Sequence, residues 1–389
     1  MRIHILDDLR SNDSPDARRR YQVTHGHWYP VLLAEQILHG MGVEVAFYSR
    51  LDADSCDCDS LLISSRHHDY LFGTAHKPLL RAETVATLRA RVPRIIWFDL
   101  RDSSGTTQFE VLPYVDLYVK QYCLRDMSAY RRPMYGGRVF TEFEHQRFGI
   151  EDRIKPGETP DQESDFTTLD REDEQKVVVG WDLSYHWRSC LPWPRNDFHD
   201  PPLPRKPEFL YANEAAWEST LTERNIKLSA MLTARRYQRA TVVNQRTRAL
   251  HILAKEADPL VQVENLPAAT YLKTLRNSRA VLSCFGNGEV CYREHEGWIA
   301  GAAVIMPDMG HITTFPPRYA AHQTYHPVRW SLEDLVAGIE RLEEDAAYRL
   351  FLAEAGQRAF KTMFERDGLA SFAQRFVVIV QGKRPEPVG

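Results

Sequence analysis

The sequence predicts an α/β protein with two Rossmann-like, doubly wound units. Short apolar runs alternate with helical patterns in both halves of the 389-residue chain, which is typical of parallel sheets covered by helices. A polar segment near 151–175, rich in Asp, Glu, Pro and Thr, is predicted to be an insertion or linker loop. The length is sufficient for two domains, each with its own core.

In the first half, the ends of the helices are marked by residues that do not continue a helix. Gly42 suits the position after a helix C-terminus, and Pro93 disfavours helical backbone in the residue before it. A buried strand is also predicted at 177–182, after the polar segment. The other strands predicted here are 2–6, 43–48, 60–64, 94–98 and 116–119, and the helices are 27–40 and 78–91.

The second half repeats the alternation. Ser331 and Asp334 have the spacing of a capping box, which predicts that a helix starts at Ser331. Strands are predicted at 227–233, 261–263, 280–284 and 302–306, helices at 239–256, 267–277 and 345–366, and a helix or strand at 369–381. We expect an acceptor-side domain at 1–206, a nucleotide-sugar domain at 207–368, and a segment at 369–389 that packs back on the first domain.

The composition argues against several classes of protein. A net charge of -4 and a pI near 6.4 give no general attraction for nucleic acid. The N-terminus lacks the apolar stretch of a signal peptide, and no run reaches the ~18 apolar residues of a membrane span. The six cysteines match no zinc spacing, so we expect reduced thiols in a cytoplasmic protein. One local basic cluster stands out, formed by Arg235, Arg236, Arg239, Arg246 and Arg248.

The segment 283–308 carries the clearest functional pattern. It reads as an apolar strand, a turn with Gly286 and Gly288, a helix rich in acids, Gly301, and a second apolar strand. Glycines let backbone amides approach a ligand closely, and a helix N-terminus favours a phosphate. Glu289 and Glu296, with Glu294, could accept hydrogen bonds from sugar hydroxyls. The pattern predicts a site for a sugar nucleotide, although an ordinary turn–helix–strand unit would share it.

Polar residues at other predicted strand ends are candidates for the same site. Asp99 and Asp102 could act as a general base, or could cap the turn that follows. Lys120 could bind an acceptor or an anion, or could be a solvated surface charge. Arg138 follows two glycines, an arrangement that can hold an anion but also forms ordinary turns.

Several stretches resemble GT-B glycosyltransferases. In the second half these are Gly286-Asn-Gly-Glu289 and the run from Glu296 to Met306. In the first half, Phe98-Asp-Leu-Arg-Asp-Ser-Ser-Gly105 and Tyr135-Gly-Gly-Arg138 are similar to a bacterial subgroup of exostosin-like, capsule and O-antigen (group 1-like) transferases. The resemblance spans about 94–340. It implies a GT-B-like pair of Rossmann-like domains facing a cleft.

The resemblance also implies roles for individual residues. Glu296 would hold the ribose of the donor, and Arg235 or Arg236 would hold its diphosphate, which suits the planar guanidinium. Arg293 would lie in the same donor site. Glu289 stands one position away from the family's second glutamate. The family does not usually depend on a metal, so no cofactor is expected beyond the nucleotide-sugar, with a UDP-sugar favoured.

The hypothesis from the sequence is therefore a metal-independent glycosyltransferase that moves a sugar from a nucleotide-diphosphate donor to a hydroxyl acceptor, in glycan or polysaccharide assembly. One alternative is a phage-type enzyme that glycosylates modified DNA bases, which only the arginine cluster supports. Another is a nucleotide-sugar epimerase, a phosphorylase, or a non-catalytic sugar-nucleotide-binding protein. The sugar, the acceptor, the stereochemical course and the oligomeric state stay open.

Overall fold

The computed structural model describes residues 1–7, 27–48, 51–65, 88–152, 167–185, 217–233, 239–256, 258, 261–263 and 266–387. Arg235 and Arg236 lie outside the described residues, as do most of the polar segment 151–175 and of the predicted helix 78–91. Of that helix, residues 88–91 are described and are helical.

The first sheet has six strands, all parallel, in the order β2-β1-β3-β4-β5-β7. Every residue of β3 and β4 is buried, as expected for central strands covered on both faces. The strands are β1 (Arg2–Leu6), β2 (Glu44–Tyr48), β3 (Ser60–Ser64), β4 (Ile95–Asp99), β5 (Leu117–Lys120) and β7 (Val177–Val179). A short β6 (Cys123–Leu124) leaves this sheet to pair elsewhere.

The second sheet has five parallel strands in the order β13-β11-β10-β8-β9. Numbered along the chain, the second sheet has the flavodoxin-like order 2-1-3-4-5, and the first sheet has the same order with a sixth strand added at its end. In both sheets the winding reverses between the first and third strands. The strands are β8 (Ile226–Ser229), β9 (Val261–Gln262), β10 (Ser278–Leu282), β11 (Ala303–Pro307) and β13 (His326–Val328). A two-stranded antiparallel ladder between β12 (Ile312–Thr313) and β6 connects the two halves of the chain.

Helices cover both sheets. The C-cap predictions are confirmed, because Gly42 and Gly301 have positive φ values of 74° and 67°. The labelled helices are α1 (Glu35–Gly40), α2 (Val139–Phe148), α3 (Ala240–Glu256), α4 (Ala268–Arg276), α5 (Tyr292–Ile299), α6 (Leu335–Glu344), α7 (Ala346–Lys361) and α8 (Arg366–Val380). Residues 27–33 are also helical.

The terminal helix α8 packs on the first sheet. Phe372 lies edge-on to Trp181, with ring centroids 5.1 Å apart. Arg375 donates to the Val179 carbonyl at 2.6 Å, and Ser60 Oγ donates to the carbonyl of Val380 at 2.5 Å. The end of the chain therefore returns to the sheet with which the chain began.

Two local predictions are corrected. The helix expected at Ser331 begins at Leu335, because Leu332 has a positive φ of 61° and the Asp334 carboxylate accepts from the Arg329 N–H instead of capping the helix. The strand expected at 227–233 ends at Ser229, beyond which the chain turns. The segment 369–381, for which a helix or a strand was predicted, is helical through Val380.

The predicted α/β class with two Rossmann-like units is confirmed by the two parallel sheets. In the part of the chain that the structure describes, no helix combines the length and the apolar character that crossing a membrane requires.

Candidate functional site

The topological switch point of the second sheet is the place where a doubly wound sheet binds ligands, beyond the carboxyl ends of its strands. Here it lies between β8 and β10. Helix α5 follows β10 and carries Arg293 in its first turn. Arg293 Nη2 donates to the carbonyl of Met231, two residues beyond β8, at 3.1 Å. The guanidinium of Arg293 therefore spans this switch point.

Two polar groups near the switch point have no hydrogen-bond partner in the described part of the chain. One is Arg293 Nε, and the other is the hydroxyl of Ser229, the last residue of β8. Both atoms are buried. Unsatisfied buried donors are costly and rare, and an anion that accepts from them would remove the cost.

Glu296 lies one helical turn further along α5 and is part-buried. Its carboxylate accepts a hydrogen bond from the hydroxyl of Tyr271 on α4. Tyr271 also packs against the small apolar cluster around Met231. Arg293 and Glu296 thus place a cation and a carboxylate on one helix beside the switch point.

Glu294, between them, has a structural role in this conformation. It is fully buried and accepts from the Cys291 N–H at 2.6 Å and from Ser283 Oγ at 2.8 Å. Burial raises the pKa of Glu294 despite these bonds. This carboxylate therefore ties the first turn of α5 to Ser283, the residue after β10.

The Gly-rich turn is packed against the first half of the chain. A Cβ built on Gly288 would lie 1.5 Å from the carbonyl oxygen of Asp102. Gly286 donates its N–H to the Gly288 carbonyl at 2.9 Å. Because Gly288 has no side chain, the carbonyl of Asp102, from the first half of the chain, can therefore lie this close to it.

Glu289, next to Gly288, is held by the same first-half loop. It is buried and accepts from the N–H of Ser104 at 3.1 Å and from its Oγ at 2.5 Å. His311 Nε2 is 3.6 Å from its carboxylate. Burial alone would raise the pKa of Glu289, but the nearby His311 and the hydrogen bonds from Ser104 hold this pKa below its usual value. Glu289 therefore links the two halves of the chain through its hydrogen bonds to Ser104.

Arg138 reaches the same turn from the other side. Its Nε donates to the carbonyl of Asn287 at 2.8 Å, and its Nη1 donates to the carbonyl of Gly136 at 3.0 Å. Gly136 and Gly137 both have positive φ, which glycine alone adopts easily. The structure therefore brings together Asp102, Arg138, Gly288 and Glu289 from among the predicted site residues.

Asp99 and Lys120 form a buried ion pair inside the first sheet. Lys120 Nζ lies 2.9 Å from Asp99 Oδ2, and both side chains are almost fully shielded from solvent. Tyr118 donates to the same carboxylate oxygen at 2.5 Å. The two charges are neighbours on adjacent strands, so in this conformation each is compensated by the other and not by a ligand.

Three of the clustered arginines are also paired within the protein. Arg248 binds both carboxylate oxygens of Glu144, at 2.7 and 3.0 Å. Arg246 donates to the carbonyl of Phe285 at 2.7 Å, and Arg239 lies 3.4 Å from the carboxylate of Asp152. These side chains attach α3 to its surroundings and do not form a solvated basic face.

A buried ion pair between Asp182 and Arg318 was not predicted from the sequence. Neither side chain is exposed, and Arg318 Nη2 lies 2.8 Å from Asp182 Oδ2. Burial opposes the charge, yet Asp182 keeps the pKa of Arg318 above its usual value. Tyr319 continues the contact by donating to Glu294 at 3.2 Å. The one available indication was that the strand predicted at 177–182 ends in an acid.

No group of His, Cys, Asp and Glu side chains within the described ranges is arranged to hold a metal ion. The cysteines of those ranges are all free thiols, and burial raises the pKa of Cys284 to about 11 and that of Cys291 to about 12.

Comparison with known proteins finds likeness in structure only. No protein-family model and no curated protein sequence matches this chain. An α-glucosyltransferase solved with UDP-glucose and DNA containing an abasic site is 10% identical over 98% of both chains, with a TM-score of 0.41. A glycosyltransferase from Rickettsia africae is 9% identical over 98% of both chains, with a TM-score of 0.40. A putative UDP-N-acetylglucosamine 2-epimerase from Listeria monocytogenes is 12% identical over 99% of both chains, with a TM-score of 0.36. Similarity of this extent assigns the chain neither a family nor an activity.

Proposed function

We propose that this protein is a glycosyltransferase that moves a sugar from a nucleotide-diphosphate sugar, with a UDP-sugar as the first candidate, to a hydroxyl-bearing acceptor. The observation that carries the proposal is the switch point between β8 and β10. There Arg293 and Ser229 have buried, unsatisfied donor groups, and Glu296 follows one turn later on α5. This arrangement supports an anionic, hydroxyl-rich ligand at this sheet edge.

The residues of this region take separate roles in the proposal. Arg293 binds the diphosphate and stabilises the negative charge that develops on it as the sugar leaves. Glu296 accepts a hydrogen bond from the ribose, with Tyr271 orienting its carboxylate. Arg235 and Arg236, a few residues beyond β8, stay proposed diphosphate ligands.

In this proposal the first domain, residues 1–206, supplies the acceptor side. The nucleotide-sugar domain comprises residues 207–368, and the C-terminal segment comprises residues 369–389. Asp102 is the proposed general base, because Asp99 is already paired with Lys120 in the core. Gly286, Gly288, Glu289 and Arg138 hold the Gly-rich turn against the acceptor side. Closure of the two units around the bound substrates would exclude water from the transfer.

The structure weakens the argument for a DNA acceptor. That alternative depended on the five clustered arginines, and Arg239, Arg246 and Arg248 are engaged inside the protein. A glycan acceptor is therefore the favoured proposal.

Calorimetric titration with UDP, GDP and their sugar conjugates, without added metal, tests the donor site. We expect one nucleotide to bind, and we expect Glu296→Gln and Arg293→Gln each to weaken binding by roughly tenfold or more, as for a lost hydrogen bond to a charged group. Glu340→Gln, an exposed acid on α6, is the matched control and should bind normally. A folded wild-type protein that binds no nucleotide would rule out the transferase.

Turnover distinguishes the related activities. A transferase releases free nucleotide diphosphate only when an acceptor is present. An epimerase converts the nucleotide-sugar alone, and a binding protein does neither. A DNA acceptor would show binding that weakens steeply with added salt.

A further inference from the structure

Arg246, a buried residue of α3, joins the two loops that flank the β8–β10 switch point. Its Nη1 donates to the carbonyl of Thr233, in the loop after β8, at 3.2 Å. In the loop after β10, its Nε donates to the carbonyl of Phe285 at 2.7 Å and its Nη2 to that of Cys284 at 3.3 Å. One guanidinium therefore spans the switch point from α3.

Arg293 reaches the same loops from α5. Its Nη2 donates to the carbonyl of Met231, in the loop after β8, at 3.1 Å. Burial raises the pKa of the thiols of Cys284 and Cys291, and the positive charges of Arg246 and Arg293 oppose this rise at both thiols. The two guanidinium groups therefore lie close to the same end of β10.

Four carbonyl oxygens at these strand ends are bound by the two side chains. Arg246 binds three of them and Arg293 binds the fourth. A carbonyl oxygen carries a partial negative charge, so a free one at the carboxyl end of a strand repels an anion that approaches it. A guanidinium that binds the oxygen offsets this repulsion.

The helix that carries Arg246 is itself held by the first half of the chain. Before Arg246 on α3, the N–H of Thr241 donates to the carboxylate of Asp152 at 2.8 Å and its Oγ1 donates to the same oxygen at 2.9 Å. After it, Arg248 binds both carboxylate oxygens of Glu144. The backbone of α3 is therefore attached on both sides of Arg246, which gives this arginine a fixed support.

We propose that Arg246 is a positioning residue of the nucleotide-sugar site, which sets the separation of the loops after β8 and β10. This inference rests on the proposed function. The diphosphate lies between the two loops and contacts Arg293, with Arg235 and Arg236 as further proposed ligands. Charge-assisted hydrogen bonds need donor–acceptor distances of about 2.7–2.9 Å, so loops that drift apart lose contacts to the diphosphate.

Titration of the full chain with UDP, and with uridine in competition against UDP, tests this role. Arg246→Gln removes the bonds to the three carbonyls and should weaken UDP binding roughly tenfold, as for one lost hydrogen bond to a charged group. Uridine has no phosphate, so its affinity should change less than about twofold. If GDP is the nucleotide that binds, guanosine takes the place of uridine.

The ratio of UDP affinity to uridine affinity separates this role from a general structural one, because a loosened fold would weaken both ligands alike. Arg246→Lys is a milder variant that keeps the charge but not the planar fork that reaches both loops, and it should lower the ratio about threefold or more. Arg248→Lys on the same helix is the matched control. It perturbs the contact with Glu144, which belongs to neither loop, and should leave the ratio within about twofold of the wild-type value.

Three results would overturn the inference while the proposed function stands. They are unchanged UDP affinity in Arg246→Gln, equal losses of UDP and uridine affinity in that variant, and full recovery of the wild-type ratio in Arg246→Lys, which would show that the charge acts and not the span. If Arg246→Gln does not fold, Arg246→Lys supplies the same ratio. A folded wild-type protein that binds neither UDP nor GDP would instead overturn the proposed function, and this inference with it.

Discussion

Gly288→Ala should open the contact between the Gly-rich turn and the first half of the chain. The added Cβ would lie 1.5 Å from the Asp102 carbonyl oxygen and 2.6 Å from the Tyr122 hydroxyl. The φ of Gly288 is not in the positive region that disfavours alanine, so the expected cost is one of space and not of backbone strain. Because the nearest atoms belong to backbone, a side-chain rotation cannot relieve the clash.

The magnitude follows from what must move. Ordinary contact starts at 3.4 Å, so the turn and Asp102 must separate by roughly 1.9 Å. That shift would break the hydrogen bonds that Ser104 makes to Glu289 at 2.5 and 3.1 Å. A hydrogen bond to a charged group contributes about 1.5–3 kcal/mol, so the loss should be about 3 kcal/mol or more.

Urea denaturation and small-angle X-ray scattering measure this effect. We expect a lower unfolding midpoint and a larger radius of gyration for Gly288→Ala. Gly40→Ala is the control, because no atom lies within 4 Å of its added Cβ, and it should leave stability unchanged or raise it by up to ~1 kcal/mol. If Gly288→Ala unfolds at the wild-type midpoint with an unchanged radius, the two halves do not meet as described.

Two further predictions concern buried charged groups. Burial, with the nearby charges of His322 and Arg341, lowers the pKa of His326 to about 4, whereas 6.5 is usual. Between those values the unfolded chain binds the proton and the native state does not, so wild-type stability should fall as pH drops through this window. As the pH drops through this window, the denaturation midpoint should fall less for His326→Gln than for the wild type. Parallel curves of midpoint against pH for the two proteins would contradict the lowered pKa of His326. Arg318→Met should cost about 3–5 kcal/mol because it leaves Asp182 buried without its partner, and adding Asp182→Leu should recover most of the loss. Simply additive losses in urea denaturation would show that the pair is not coupled.

Much of the fold could be predicted because it depends on local patterns. The strand at 60–64 and the helix at 239–256 were recognisable from their apolar periodicity, and Gly301 from its position after a helix. The prediction that a helix starts at Ser331 was wrong, because Leu332 adopts a positive φ and the Asp334 carboxylate accepts a hydrogen bond from the Arg329 N–H. A capping pattern competes there with a loop hydrogen bond that the sequence does not reveal.

Part of the candidate site could likewise be predicted from the sequence, and part of it could not. The sequence by itself determined that α5 follows a Gly-rich turn and a buried strand, and so that Arg293 and Glu296 lie on one helix. Only the tertiary structure decided that Arg293 spans the switch point to Met231, that Gly288 receives the Asp102 carbonyl, and that Arg318 pairs with Asp182. The physical reason is range. Periodicity and capping act over a few residues, whereas these contacts join groups that are 62, 136 and more residues apart, and the chain's topology alone brings them together.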